Sequence, residues 1–372
     1  MEPDSTHCDA GECAPTTTDT ASSQGQRPIR KRTGGFFDRI GVRVVSLALS
    51  GFYLALILAA LWRPDFRTDS RLHSGLSLLA FYIDTFAFHG GVAAAVLVVA
   101  SAFARRWLLC VAGLPAVLFT VGPAAWCYLP HEPPAVSGNS ITVMSANLFG
   151  PNRRHDALVR EIAEADPDVL LVQEYTYQWR ESINAALGDR YPHVSAIPRS
   201  DCFGMAVYSK IPFADGGPAR VSLDDLNLPC MKATLRLDDR LVTFFNVHLV
   251  PPKSPESFRR LGAQLADLLD AAAAEPHPVV LAGDFNSTRR SRLAAHVRRF
   301  GLTGCHEQAG WGRGSTWPVL GMLRYVPGLR IDHVYLSADL SCTSCRTGVG
   351  EGSDHRPIVA VIGLAPLGAS PR

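Results

Sequence analysis

Three apolar stretches crowd into the first third of this chain. Val44–Trp62 carries no charged residue. Thr85–Ala104 carries no formal charge, and its apolar character extends back toward Leu76 across Asp84. Trp107–Leu129 again carries none. Each approaches the roughly 20 residues that cross a hydrocarbon core of about 30 Å. One such stretch suits a buried helix of a soluble domain; three in succession do not. A cleavable signal peptide is a poor account of the first, because its charged leader is too long and two further stretches come after it. The expectation is a multi-pass cell-membrane protein, with three transmembrane helices within residues 36–129.

The flanks give a topology. Residues 1–35 are rich in Thr, Ser, Asp, Gly and Pro and nearly free of large apolar side chains, so they read as a disordered cytoplasmic tail. The basic cluster Arg27, Arg30, Lys31, Arg32, Arg39 and Arg43 places the N-terminus in the cytoplasm. Three crossings then put everything after Leu129 outside. Arg105 and Arg106 agree with that orientation, whereas Arg63, Arg67 and Arg71 oppose it. Asp84 and His89 lie in or beside the second stretch, where an ionisable group is a functional candidate unless the span simply starts late. Residues 130–140 contain three prolines and read as a semi-rigid linker. It reaches at most ~36 Å and keeps the C-terminal region at the membrane surface.

Residues 141–364 change character, and 365–372 form a short tail. Strands are expected at Ile141–Asn147, Val169–Gln173, Met205–Ser209, Met231–Leu237, Leu241–His248, Val279–Ala282, Ile331–Leu336 and Pro357–Ile362. Helices are expected at Arg153–Ala165, Gln178–Leu187, Glu256–Ala274 and Ser291–Phe300. Met231–Leu237 and Leu241–His248 pair as a hairpin across Asp238-Asp239, which excludes a purely parallel sheet. The pattern fits an α/β (α+β) arrangement of two packed sheets with helices outside. Charge is nearly balanced, 36 Lys+Arg against 34 Asp+Glu, which excludes a histone-like polycation. Nine irregularly spaced cysteines exclude a disulfide miniprotein or a zinc ribbon.

Apolar strands here end in polar residues that a core does not need. Asn147, Glu174 and His248 close three of them; Asp284 and Asn286 follow VVLAG; Asp332 and His333 interrupt RIDHVYL; Asp354 and His355 precede the last strand. One such residue is an ordinary turn signal. Six strand ends together describe a site on one sheet edge. Carboxylates with an amide, and no Cys/His cage, suit a hard cation such as Mg²⁺ or Mn²⁺. Histidines suit phosphate oxygens, and a remaining Asp suits activation of water. The set reads as metal-assisted phosphoester hydrolysis.

The pieces GDFN with Asn286, SDH with His355, and Gln173-Glu174 resemble the endonuclease/exonuclease/phosphatase superfamily over about residues 141–364. That resemblance implies a DNase I-like four-layer αββα sandwich. It implies Glu174 as principal metal ligand, with Asn147 beside it and Asp354 near the metal. It implies Asp284 on the attacking water, Asn286 on a phosphate oxygen, and His248 and His355 on the developing phosphoryl charge. Asp332 would pair with His355. His333 departs from the usual aliphatic residue or Tyr and is expected to face the core. Tyr208 is a candidate for the family's mid-chain tyrosine.

Three spans ahead of such a domain also look like the VanJ-type teicoplanin-resistance membrane proteins. That likeness implies an enzyme at the outer face of the membrane, with membrane lipids as partners. Its substrate would be a lipid-linked phosphate or pyrophosphate such as undecaprenyl pyrophosphate, with a role in the cell envelope and glycopeptide resistance. The rival is an anchored extracellular nuclease acting on DNA or RNA, which a steep salt dependence would mark. A dead phosphoesterase scaffold has no need of so complete a site. Arg289 and Arg290 are expected near the mouth, facing a polyanion, and Arg292, Arg298 and Arg299 on a solvated helix face. Outside the cytoplasm Cys202 with Cys230, or Cys342 with Cys345, would be free to bridge; the five cysteines there, Cys305 included, leave at least one free, and the alternative is that all are reduced and packed.

Overall fold

The computed structural model describes residues 35–62, 70–214, 216–226 and 228–366. The expected tails at 1–34 and 367–372, with Arg27, Arg30, Lys31 and Arg32, and the residues Arg63 and Arg67 lie outside the described residues. The described residues from 42 onward form one compact unit; of the unit before it, only the start of the first helix is described.

Four helices come first: α1 (Gly35–Leu61), α2 (Arg71–Thr85), α3 (Ala87–Phe103) and α4 (Trp107–Trp126). Ile40–Ala59 and α4 are each long and apolar enough to cross a membrane. The expected second span is not one straight helix. It is the pair α2–α3, bent by 58° at Phe86, and it makes a third candidate only if the pair counts as one. The bend has a packing cause. Helix α2 buries Ser74, Ser77, Phe81 and Asp84, and the Phe81 ring lies 5.2 Å from that of Phe258 in the C-terminal domain. Tyr82 donates to the Pro252 carbonyl at 2.7 Å. So α2 lies on the C-terminal domain, and α3 leaves it after a first turn whose Phe88 and His89 still meet Arg313 and Pro327.

That domain runs β1 (Ser137–Asn147), α5 (His155–Ala165), β2 (Val169–Gln173), α6 (Tyr177–Leu187), β3 (His193–Ile197), β4 (Met205–Ser209), β5 (Ala219–Leu223), β6 (Leu228–Leu237), β7 (Arg240–His248), α7 (Pro255–Ala273), β8 (Val279–Asp284), α8 (Arg292–Arg299), β9 (Thr303–Gly304), α9 (Cys305–Ala309), β10 (Asp332–Leu336), β11 (Leu340–Thr347) and β12 (Ile358–Leu364). Two six-stranded sheets form, in the orders β11-β12-β1-β2-β4-β3 and β5-β6-β7-β8-β10-β9. Alternating side chains such as Val143, Leu171, Phe244 and Val280 fill the space between them. The other faces are covered by α5 and α6 on one side and α7 and α8 on the other. The layers are therefore helix, sheet, sheet, helix, as two apolar sheet faces require.

Each sheet has a parallel pair at its centre, β1 with β2 and β7 with β8. In register, Asn147 lies opposite Gln173 and His248 opposite Asp284. Both pairs thus end at the same edge. A buried bridge fixes the two ends to each other: Gln173 donates to Asn246 Oδ1 at 2.6 Å, and Asn246 donates to the carbonyls of Val172 and Ala206 at 2.9 Å. Strand β1 starts at Ser137, inside the stretch expected to be linker, because Ser137 pairs with Leu364. The seven described cysteines are free thiols, so of the two alternatives it is the reduced one that the structure has.

Candidate active site

The shared edge gathers eight polar residues at two depths. Asp284, Asp332, His248, His355 and Asn147 are buried, whereas Glu174, Asn286 and Asp354 are half-buried and line the opening. Asp284 ends β8 and lies opposite Asp332 at the start of antiparallel β10. Its Oδ2 is 3.7 Å from His248 Nε2 and 3.8 Å from His355 Nε2. Asn147 and Asn286 aim their Nδ2 groups at the same oxygen, at 3.4 and 3.3 Å. His355 Nδ1 donates to Asp332 Oδ2 at 2.8 Å. One carboxylate thus sits between two imidazoles, and a second carboxylate holds one of them.

The local backbone is strained where the site is built. Glu174 has φ 54° and Asn286 φ 48°, the left-handed region that costs a non-glycine residue energy. Gly283 before Asp284 has φ 148°, and a Cβ there would meet the Val247 carbonyl oxygen at 1.9 Å. Glycine lets β8 approach β7 closely enough to bring Asp284 beside His248.

The two imidazoles are held in opposite charge states. Burial, with the His355 charge beside it, pushes His248 down to about 4, so it is neutral. Burial works against a charge on His355 too, but the Asp332 and Asp284 carboxylates outweigh it and lift it to about 10. Burial, reinforced by Asp332, raises the Asp284 carboxyl above the ordinary range, which suits a group that takes a proton from water.

Two carboxylates at the opening suit a divalent cation. Burial and then the repulsion of Asp354 raise Glu174. Glu174 accepts from Gly150 N at 2.9 Å and from Asn147 Nδ2 at 3.3 Å. Asp354 accepts from Trp317 Nε1 at 3.2 Å, and its Oδ1 is buried without a hydrogen-bond donor among the described residues. Hard oxygens that repel each other, with His355 Nε2 3.9 Å from Asp354 Oδ1 as their basic neighbour, fit Mg²⁺ or Mn²⁺. Asp284, Asp332 and His355 also lie close enough to share an ion. A cationic His355 repels a metal, so that triad reads as proton and charge machinery instead.

The structure brings all eight predicted residues to one place, with two differences of detail. The Asn147 oxygen expected at the metal accepts from Phe149 N at 3.0 Å, and its amide nitrogen joins Glu174 to Asp284. Asn286 Nδ2 also donates to Leu249 O at 2.8 Å, so it positions Asp284 as much as it faces a phosphate. Tyr208 is not at the site: its hydroxyl meets Tyr175 and Asn184 in the outer core. His333 donates to Ser287 O at 2.9 Å and stacks on Tyr335, away from the opening. Arg289 and Arg290 do not face the mouth; they reach α4. Sequence reasoning missed Ser353, which accepts from His355 N at 3.0 Å and donates to Asn147 O at 2.8 Å. The serine of SDH was the available signal. Trp317, from an irregular segment, had none.

The sequence profile described as the endonuclease/exonuclease/phosphatase family matches residues 144–355. The chain belongs to that family. Its members are hydrolases of phosphoester bonds, and so is this endonuclease/exonuclease/phosphatase protein. No curated protein matches it. Among solved structures it is similar to a family member from Beutenbergia cavernae (19% identity, 61% of this chain and 72% of that one, TM-score 0.50). It is also similar to truncated Caenorhabditis elegans TDP2 (19%, 61% and 99%, TM-score 0.50) and to a functionally unknown conserved protein from Enterococcus faecalis (15%, 60% and 100%, TM-score 0.52). At these identities the likeness is one of fold.

Proposed function

We propose that this hydrolase is a membrane-anchored, divalent-metal-dependent phosphoesterase at the outer face of the cytoplasmic membrane. Its substrate is a lipid-linked phosphate or pyrophosphate such as undecaprenyl pyrophosphate. Asp284 takes the proton of the attacking water. Neutral His248 and cationic His355 donate to the phosphoryl oxygens as charge develops there, and Asp332 keeps His355 charged and oriented. Glu174 and Asp354, with Asn147 beside them, would hold the cation. When bound, it supplies Lewis-acid charge to the phosphoryl group. Chelation with EDTA is expected to abolish turnover and Mg²⁺ or Mn²⁺ to restore it. Restoration by Zn²⁺ alone would contradict the hard-oxygen site.

One observation carries the lipid reading. Beside the acidic opening, Leu320, Met322, Leu323, Tyr325 and Val326 are exposed, with Met322 at 78% and Tyr325 at 77%. Such a cluster on a soluble surface marks an interaction site. The segment is tied to the active site, since Val319 N donates to Asp354 O at 3.0 Å. It is tied to the apolar helices as well, since His89 Nε2 donates to Pro327 O at 2.7 Å. A bilayer that holds the apolar helices would meet this segment and present lipid phosphates to the opening. The deciding assay uses full-length protein in detergent with Mg²⁺ and the Asp284→Ala variant as blank. Undecaprenyl pyrophosphate and double-stranded DNA are offered in parallel. Phosphate release without strand breakage is expected; breakage without release would make this an anchored nuclease. The combined change Met322→Ser, Leu323→Ser, Tyr325→Ser is expected to raise KM about tenfold on lipid substrate in vesicles. Hydrolysis of a soluble phosphoester should not change; an equal loss on both would remove the lipid argument.

A further inference from the structure

A cavity of about 360 Å³ lies between the apolar helices and the C-terminal domain. None of the eight residues of the active site lines it. Five arginines do, Arg289, Arg290, Arg298, Arg313 and Arg330, against two carboxyl groups, Asp84 and Glu307. Basic excess at a partly buried junction is costly unless an anion completes it.

The arginines are fixed in place. Pro123 in α4 has no N–H, so the carbonyl of Phe119 lacks its helical donor. Arg290 Nη1 supplies one at 3.4 Å and stacks over the Phe119 ring at 4.8 Å. Arg289 Nη2 donates to Pro123 O at 3.2 Å. Arg313 lies over the Phe88 ring at 3.7 Å and donates to Gly328 O. Arg330 is paired with Glu307 and is 7% exposed. Donors remain after these anchors. Arg330 Nε, Arg290 Nε and Thr288 Oγ1 are buried with no partner among the described residues, and Thr288 is also 7% exposed. Unmet guanidinium N–H groups and a hydroxyl around one cavity match the acceptors of a phosphate group, which planar guanidinium recognises in pairs. A volume near the lower end of ligand pockets, about 300–1,000 Å³, suits a mono- or diphosphate.

We infer that this cavity is a second phosphate-binding site, separate from the catalytic one, at the junction of helices and hydrolase domain. The inference does not rest on which phosphoester is cleaved. Occupancy completes the hydrogen bonding of Arg290, Arg330 and Thr288 and clamps α3 and α4 to the domain.

The test titrates full-length protein in magnesium-free detergent with inorganic pyrophosphate by calorimetry. The variants are Arg289→Gln, Thr288→Val and the pair Arg330→Met with Glu307→Gln, which leaves no lone buried charge. Binding to the wild type is expected, weakened at least ~10-fold by each change. Arg289→Gln keeps the Arg330–Glu307 pair, so it carries the test if the double variant does not fold. In parallel, each protein is recovered from phosphatidylglycerol vesicles and its bound lipid measured by native mass spectrometry. Phosphatidylglycerol held by the wild type and lost from Arg289→Gln makes the occupant a lipid headgroup. Pyrophosphate binding without lipid retention makes it a soluble phosphate. No binding of either probe, or equal binding by wild type and variants, overturns the site.

Discussion

Asp284→Asn is expected to lower turnover by ~10²–10⁴ and to leave the melting temperature unchanged or higher. The two halves have one cause. Asp284 is buried, faces Asp332 across the strand pair, and has a raised carboxyl. For an acid whose folded value lies above its unfolded one, the stabilised form is the protonated one. That stability is present at low pH and is lost as pH rises through the folded value. At neutral pH the ionised carboxylate is therefore a burden on the fold, and an amide of the same shape removes it. The chemistry loses its proton acceptor, because an amide cannot take a proton from water while His248 and His355 keep their places. Initial rates beside calorimetric melting check both halves. An Asp284→Asn enzyme retaining a tenth of its activity, or one that melts far lower, would remove Asp284 from the proposed role.

The same carboxylate shows why the sequence disclosed as much as it did. VVLAGDFN reads as a buried strand with an ionisable end, and the structure gives a fully buried β8 ending at Asp284. Central strands are packed on both faces, so their apolar runs are unmistakable: Val169–Gln173 and Met205–Ser209 have the expected bounds. The strands that sequence reasoning missed are β3, β5, β9 and β11, and all four lie at sheet edges. Edge strands have one free flank, and their side chains are often half exposed, as in Ala219–Leu223 and His193–Ile197. Exposure removes the period-two signal that burial imposes. The bend at Phe86 was hidden for a related reason. Hydropathy records how apolar a segment is, not which surface covers it, and α2 is covered by α7. The site was legible because its members begin or end strands or lie within four residues of one. Its supports were not, because Trp317 reaches Asp354 from an irregular segment whose path no local pattern encodes.

His355→Gln and Asp332→Asn are each expected to cost ~10² or more in turnover, and the double variant no more than the worse single one. Asp332 acts on the phosphoryl group through the ring it holds at 2.8 Å, so once the ring is gone its charge is left only to raise Asp284. Independent contributions would instead multiply, and a double variant that loses the product of the two single losses would separate the residues. Stability gives a second readout that a mere packing role would not move. His355 is lifted to about 10 by carboxylates that outweigh its burial, while an unfolded histidine titrates near 6.5. A group raised in this way contributes stability that is fully present below the unfolded value and is lost as pH climbs through the folded one. The wild-type melting temperature should therefore fall from pH 7 to pH 10 more steeply than that of His355→Gln. Parallel melting curves for the two proteins over that window would mean that His355 is not held as a cation. The developing phosphoryl charge would then have to be met by neutral His248 and by the cation that Glu174 and Asp354 would hold.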